Sequence, residues 1–67
     1  MNKKTRSYTV DAQGVVNNAR RLVSADRGIT MLIASFNMEY ELARAIYYNE
    51  VDVTCEGDQI ISIQQKG

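Results

Sequence analysis

The chain has 67 residues, which allows one small domain and leaves little room for an enclosed active site. Hydrophobic residues make up 45% of it and charged residues 24%, a globular balance that argues against an intrinsically disordered chain. Eight basic and eight acidic residues give a net charge of zero at pH 7, so the basic excess typical of a non-specific DNA-binding protein is missing.

The charges are nevertheless distributed unevenly along the chain. The first 27 residues contain six of the eight basic residues, namely Lys3, Lys4, Arg6, Arg20, Arg21 and Arg27. Six of the eight acidic residues follow position 38, namely Glu39, Glu41, Glu50, Asp52, Glu56 and Asp58. The chain therefore combines a basic N-terminal third with an acidic C-terminal part.

Cysteine and histidine usage argues against a metal or haem site. Cys55 is the only cysteine and histidine is absent, so no disulfide can form within the chain and we expect no cofactor. Nothing basic adjoins Cys55, which favours a small hydrophobic residue over a reactive thiol. The sequence has no signal-peptide core and no long apolar run, so we expect a cytoplasmic protein without a membrane segment.

The N-terminal segment is expected to be an arm followed by a first helix, all within a single domain over residues 1–67. Residues 1–6 are polar and basic and predict a flexible arm, and Ser7–Val10 suits either a short strand or an extended segment. Asp11 is a candidate helix cap. A helix from Ala12 to about Arg27 is predicted from an apolar stripe, and Gly28 is expected to end it. That stripe consists of Val15, Ala19, Leu22 and Val23.

Two more helices are predicted in the middle of the chain. Thr30 is a candidate cap for a second helix over residues 31–35. Asn37 is expected to break the chain and to cap a third helix that runs to about Asn49. Glutamates in the first turn of that helix suit the helix dipole. Its inward face is predicted to contain Phe36, Tyr40, Ala43, Ile46 and Tyr47.

Alternating apolar and polar residues after Glu50 predict two strands around Gly57–Asp58. A two-residue loop would pair Cys55 with Ile60 and set Val53 against Ser62. A three-residue loop, residues 56–58, would instead pair Val53 with Ile61 and Val51 with Ile63. The second register places the apolar residues on one face, so we predict it.

Three helices followed by a hairpin predict an α+β, mainly α, fold of the winged helix-turn-helix type, because neither part can bury a core alone. The predicted core contains Leu22, Leu32, Phe36, Ala43, Ile46, Val53 and Ile61.

The stretch Ile29–Ile46 has a hydroxyl residue, apolar positions, an aromatic, an aliphatic, a tyrosine and then an alanine. The residues at these places are Thr30, Met31, Leu32, Phe36, Met38, Tyr40, Ala43 and Ile46. The pattern resembles the gamma domain of FtsK-type DNA translocases, a small winged helix that reads duplex DNA. Over the rest of Asp11–Gln65 only the element order is similar. The resemblance implies a DNA-reading third helix, although this chain has Glu41, Leu42 and Ala45 where that family presents polar and basic side chains.

The outward face of the third helix is the candidate reading surface. It contains Asn37, Glu41, Arg44, Ala45 and Tyr48. Arginine can pair with guanine, asparagine with adenine, and glutamate with cytosine in the major groove. Alternatively, the glutamates only complement the helix dipole and Arg44 pairs with Glu41 or with solvent. Since Tyr47 and Tyr48 are adjacent, we expect one of them inside and one at the surface.

The basic N-terminal third has two interpretations. Lys3, Lys4 and Arg6 would form an arm on DNA phosphates or in the minor groove, and Arg20, Arg21 and Arg27 would anchor the DNA backbone. The alternative is an ordinary solvated surface. We also expect no catalysis, because the chain has neither a histidine base nor a glycine-rich phosphate loop.

Two functional hypotheses remain after this. The first is a small sequence-specific regulator of phage or plasmid type that binds duplex DNA, with Tyr8, Tyr48 or the hairpin edge as a possible homodimer interface. The second is a protein-interaction module or inhibitor that docks its acidic third-helix face on a basic protein partner.

Overall fold

The computed structural model describes residues 11–66, which form three helices followed by an antiparallel hairpin. The helices are α1 (Ala12–Arg21), α2 (Ala25–Phe36) and α3 (Tyr40–Tyr47). The strands are β1 (Val51–Glu56) and β2 (Gln59–Gln65). This small α+β architecture confirms the predicted fold class, and its element order is compatible with a winged-helix layout. The arm and the segment Ser7–Val10 lie outside the described residues.

The boundary between the first two helices differs from the prediction. The first helix ends at Arg21 rather than Arg27, and the second begins at Ala25 rather than after Thr30. Ser24 caps α2, since its Oγ accepts a hydrogen bond from the Arg27 backbone N–H at 3.4 Å. Gly28, predicted to end a helix, lies buried inside α2. A serine cap three residues after α1 therefore starts a new helix that the glycine does not interrupt.

The predicted break at Asn37 is confirmed, but the predicted cap of α3 is not. Asn37 adopts a left-handed conformation with φ 55° and its N–H donates to the Ile33 carbonyl at 2.8 Å, which ends α2. Glu39 occupies the N-cap position of α3, although its side chain makes no capping hydrogen bond. Three residues therefore separate α2 from α3, a short connection typical of a helix-turn-helix pair.

One hydrophobic core joins all three helices and β1. Leu32, Ile46 and Val16 are its largest fully buried side chains. The buried cluster consists of Val16 and Ala19 from α1, Ile29 and Leu32 from α2, Ala43 and Ile46 from α3, and Val51 from β1. Each helix thus contributes one side to a shared interior, which is how a chain of this length buries enough apolar surface to fold.

Several predicted core residues occupy other positions. Leu32, Ala43 and Ile46 are buried as predicted, and Phe36 and Val53 pack at the margin of the core. Leu22 is half-buried and Ile61 is exposed. The buried stripe of α1 consists of Ala12, Val16 and Ala19, whereas the predicted Val15 is only half-buried. Val23, also predicted in this stripe, lies after the end of α1 and is fully exposed. Tyr40 is also exposed, since it lies about 90° around α3 from the direction shared by Ala43 and Ile46.

The hairpin has the register of the two-residue loop at its turn, and beyond a β-bulge it departs from both predicted registers. Its turn has two residues, Gly57 and Asp58, and Cys55 pairs with Ile60. The extra residue Ile61 then shifts the ladder so that Val53 faces Ile63. The predicted three-residue loop is therefore wrong. Gly57 has a φ of 61°, which glycine adopts without a side-chain penalty.

Candidate nucleic-acid interface

The outward side of α3 is polar and open, as predicted. Glu41, Arg44 and Tyr48 are exposed, and they share one side of the helix at 100° per residue. Ala45, predicted on the same side, is half-buried rather than exposed. Asn37 is exposed just before α3. The four polar side chains together form a candidate reading surface for a groove or for a partner.

Arg44 stacks on an aromatic ring at this surface. Its guanidinium carbon lies 5.2 Å from the centre of the Tyr48 ring, within cation–π range. Tyr48 in turn meets Tyr47 edge to face, with 5.0 Å between ring centres and an interplanar angle of 89°. No ion pair between Arg44 and Glu41 occurs in residues 11–66. Arg44 therefore stacks on Tyr48, and its guanidinium forms no ion pair with any of residues 11–66.

Tyr47 anchors the connection between α1 and α2. Its hydroxyl donates a 2.6 Å hydrogen bond to the Leu22 carbonyl, and its ring packs against Gly28. The prediction that one of the two adjacent tyrosines lies inside is confirmed, because Tyr47 is half-buried and Tyr48 is exposed. The sequence contains no signal for this hydrogen bond, which depends on a contact between residues 25 positions apart.

Removing the Tyr47 hydroxyl should weaken the fold measurably. We expect Tyr47→Phe to lower the free energy of unfolding by about 0.5–1.5 kcal/mol, because the Leu22 carbonyl loses a donor in a half-buried site. Tyr48→Phe is the matched control and should have almost no effect. Urea denaturation followed by circular dichroism measures both, and equal effects of the two substitutions would contradict the assigned role of Tyr47.

The predicted backbone anchors differ in their surroundings. Arg20 is half-buried, and its Nε donates to the Ile46 carbonyl at 2.8 Å, so it stabilises the last turn of α3. Arg21 ends α1 and Arg27 lies in the first turn of α2, and both are exposed. The three cations of the predicted arm, Lys3, Lys4 and Arg6, lie outside the described residues.

The described part of the chain is acidic. Residues 11–66 contain five basic and eight acidic side chains, a net charge of −3, and the arm contains the three remaining cations. Glu39, Glu41 and Glu50 line the groove beside α3 together with Arg44. A phosphate backbone approaching this side would meet more carboxylates than cations, which disfavours non-specific binding.

The hairpin turn is tied to the helices rather than free. The backbone N–H of Ala12 donates to the Gly57 carbonyl at 2.8 Å, which joins the turn to the start of α1. The residues around the turn include Glu56 and Asp58, whereas Lys66 at the other end of β2 pairs with Asp52 at 3.6 Å. An anchored, acidic turn is poorly suited to contact DNA phosphates as a wing.

Three other features of residues 11–66 were compared with possible functions: the Cys55 thiol, clusters of metal-binding side chains, and long apolar helices. Burial raises the pKa of the Cys55 thiol, the Asp11 carboxylate raises it further, and Arg20 opposes this, so the nucleophilic thiolate is disfavoured. Among residues 11–66, no cluster of three acidic or cysteine side chains is placed to hold a metal ion. No helix in the same range is long and apolar enough to cross a membrane.

Fold and surface together define a small α+β domain with a helix-turn-helix pair and a C-terminal hairpin. Comparison of the chain with protein-family models, curated proteins and solved structures found no match.

Proposed function

We propose that the protein binds duplex DNA through α3, as a small sequence-specific regulator. The proposal rests on one observation: α3 follows α2 after a three-residue turn and presents Glu41, Arg44 and Tyr48 on a side that no other described element covers. A recognition helix needs such an open polar side to reach base edges in the major groove. The resemblance of Ile29–Ile46 to a DNA-reading winged helix supports the same assignment.

In this proposal the basic residues provide affinity for phosphates, and α3 provides selectivity for bases. With a net charge of −3 over residues 11–66, attraction to phosphates must come from the arm and from exposed arginines such as Arg21. The acidic α3 then contributes selectivity, because Glu41 is tolerated near DNA only where it accepts a hydrogen bond from a cytosine amine or contacts Arg44. We therefore expect weak non-specific binding and a strong dependence on sequence.

Two substitutions in α3 test base reading. We expect Arg44→Ala to cost about 1–3 kcal/mol of binding free energy on a preferred site and little on random duplex, because a guanine contact is lost. Glu41→Gln should raise the affinity for random duplex and reduce discrimination. Fluorescence anisotropy at low salt, with a preferred site selected from a random library, measures both effects. Unchanged affinities in both variants, or no binding at low salt, would exclude α3 as a reader.

Phosphate contacts are tested separately through Arg21. Arg21→Ala should weaken binding to all sequences alike and reduce the salt dependence, since an exposed cation is removed without a change to the fold. Arg20→Ala is less informative, because its Nε hydrogen bond to Ile46 links it to the stability of α3.

A second candidate function is a protein-interaction module whose α3 side docks on a basic partner. The observation that favours it is the excess of Glu39, Glu41 and Glu50 over Arg44 along the groove beside α3. Complementary charge would steer such a partner and set its orientation. This function predicts that the chain binds no duplex at low salt. It also predicts that Glu41→Gln weakens binding to the partner.

A further inference from the structure

The exposed side of α2 is an open surface that shares only Arg27 with the proposed DNA contacts. We call it the α2 face; its residues are Leu22, Asp26, Arg27, Thr30, Met31, Ala34 and Ser35. Leu22 and Met31 are half-buried and provide apolar surface, and Thr30 and Ala34 are small exposed residues beside them. Val23, next to Leu22, is fully exposed and adds apolar surface beside this face.

The connection beside this face is fixed in place. The Leu22 N–H donates to the Ala19 carbonyl at 3.2 Å, and the Leu22 carbonyl accepts the Tyr47 hydroxyl. Ser24 then caps α2. Val23 is therefore presented by a connection that is hydrogen-bonded on both sides, so little conformational entropy would be lost on binding.

The charges of the α2 face are complementary to those of a second copy of the chain. Asp26 and Arg27 are adjacent and exposed, and neither forms an ion pair with another of residues 11–66. A uniformly basic or acidic partner would attract one of these side chains and repel the other. A second copy of the same chain avoids this conflict, because a two-fold axis between the two residues sets Asp26 of each copy opposite Arg27 of the other.

We propose that the α2 face is a homodimer interface in which the first turns of two copies of α2 meet antiparallel about this axis. The same axis directs Leu22 of one copy towards Met31 of the other and Val23 towards Thr30. The apolar contacts then lie on either side of two symmetric Asp26–Arg27 pairs. One helix side and one connection form a smaller surface than the roughly 800 Å² per partner of a standard interface, so we expect a weak dimer.

Charge reversal tests the interface in the full chain without DNA, so its outcome is independent of the proposed function. We expect analytical ultracentrifugation between about 1 µM and about 1 mM to show a monomer–dimer equilibrium for the wild type. R27D presents two carboxylates and D26R presents two cations, so each should raise the dissociation constant about tenfold or more. E56R, an exposed charge reversal on β1, is the control and should dimerise like the wild type.

Mixing the two reversed chains separates a lost charge pair from a damaged fold. An equimolar mixture of R27D and D26R should form a heterodimer at least as tight as the wild-type dimer, and the D26R/R27D double variant should dimerise again. A wild type that stays monomeric at every concentration would overturn the proposal and leave the α2 face to another occupant, such as the N-terminal segment of the same chain. Association that survives the single reversals, or fails to return in the mixture, would also overturn it.

Discussion

Replacing Gly28 by alanine should destabilise the protein by about 1–3 kcal/mol, although the same change inside an exposed helix normally stabilises it. A Cβ at this position would lie 2.7 Å from the Ala19 carbonyl oxygen and closer still to the Tyr47 ring. The carbonyl belongs to the backbone of α1 and cannot rotate away. α1 and α2 would have to separate, which disturbs the buried cluster on both sides of the contact.

Gly14 in α1 provides the matched control for this substitution. An added Cβ there would have the Asp11 Cβ, 3.7 Å away, as its nearest neighbour, an ordinary van der Waals contact. Gly14→Ala should therefore stabilise the protein by about 0.5–1 kcal/mol through helix propensity alone. Thermal and urea denaturation of both variants should show a decrease in the free energy of unfolding for Gly28→Ala and an increase for Gly14→Ala. A stabilised Gly28→Ala variant would mean that α1 and α2 do not approach as closely as described.

Truncating Leu32 or Ile46 should have the largest effect of any single substitution in the core. Both side chains are fully buried in the cluster, so Leu32→Ala or Ile46→Ala should cost about 2–5 kcal/mol from lost transfer energy and the cavity left behind. The core of a domain this small supplies no more than about 3–5 kcal/mol of net stability. Circular dichroism and urea denaturation at 25 °C should therefore show a largely unfolded population.

Two less buried apolar residues serve as comparisons for the core substitutions. Ile61 is 54% exposed at the bulge, so Ile61→Ala should leave the unfolding midpoint almost unchanged. Phe36 is only partly buried, and Phe36→Ala should therefore have a smaller effect than Ile46→Ala. A loss of stability in Ile61→Ala equal to that in Ile46→Ala would show that the bulge, and with it the register of the hairpin, is wrong.

Local signals in the sequence were sufficient for much of the fold. Alternation after Glu50 predicts both strands, and Asn37 predicts the break before the third helix because asparagine tolerates the left-handed conformation. Spacing along α3 predicts that Glu41, Arg44 and Tyr48 lie on its outward side. These features depend on residues a few positions apart, so composition and periodicity determine them.

Contacts between distant residues decided the remainder. Gly28 looks like a helix end in the sequence, yet it lies within α2, where Ala19 and Tyr47 leave no space for a side chain. Arg20 looks like a free surface cation, yet it donates to a carbonyl 26 residues away. The place of Ile61 depends on how the bulge aligns β2 with β1. Periodicity describes one element at a time, whereas the packing of elements against one another sets which side of each is covered.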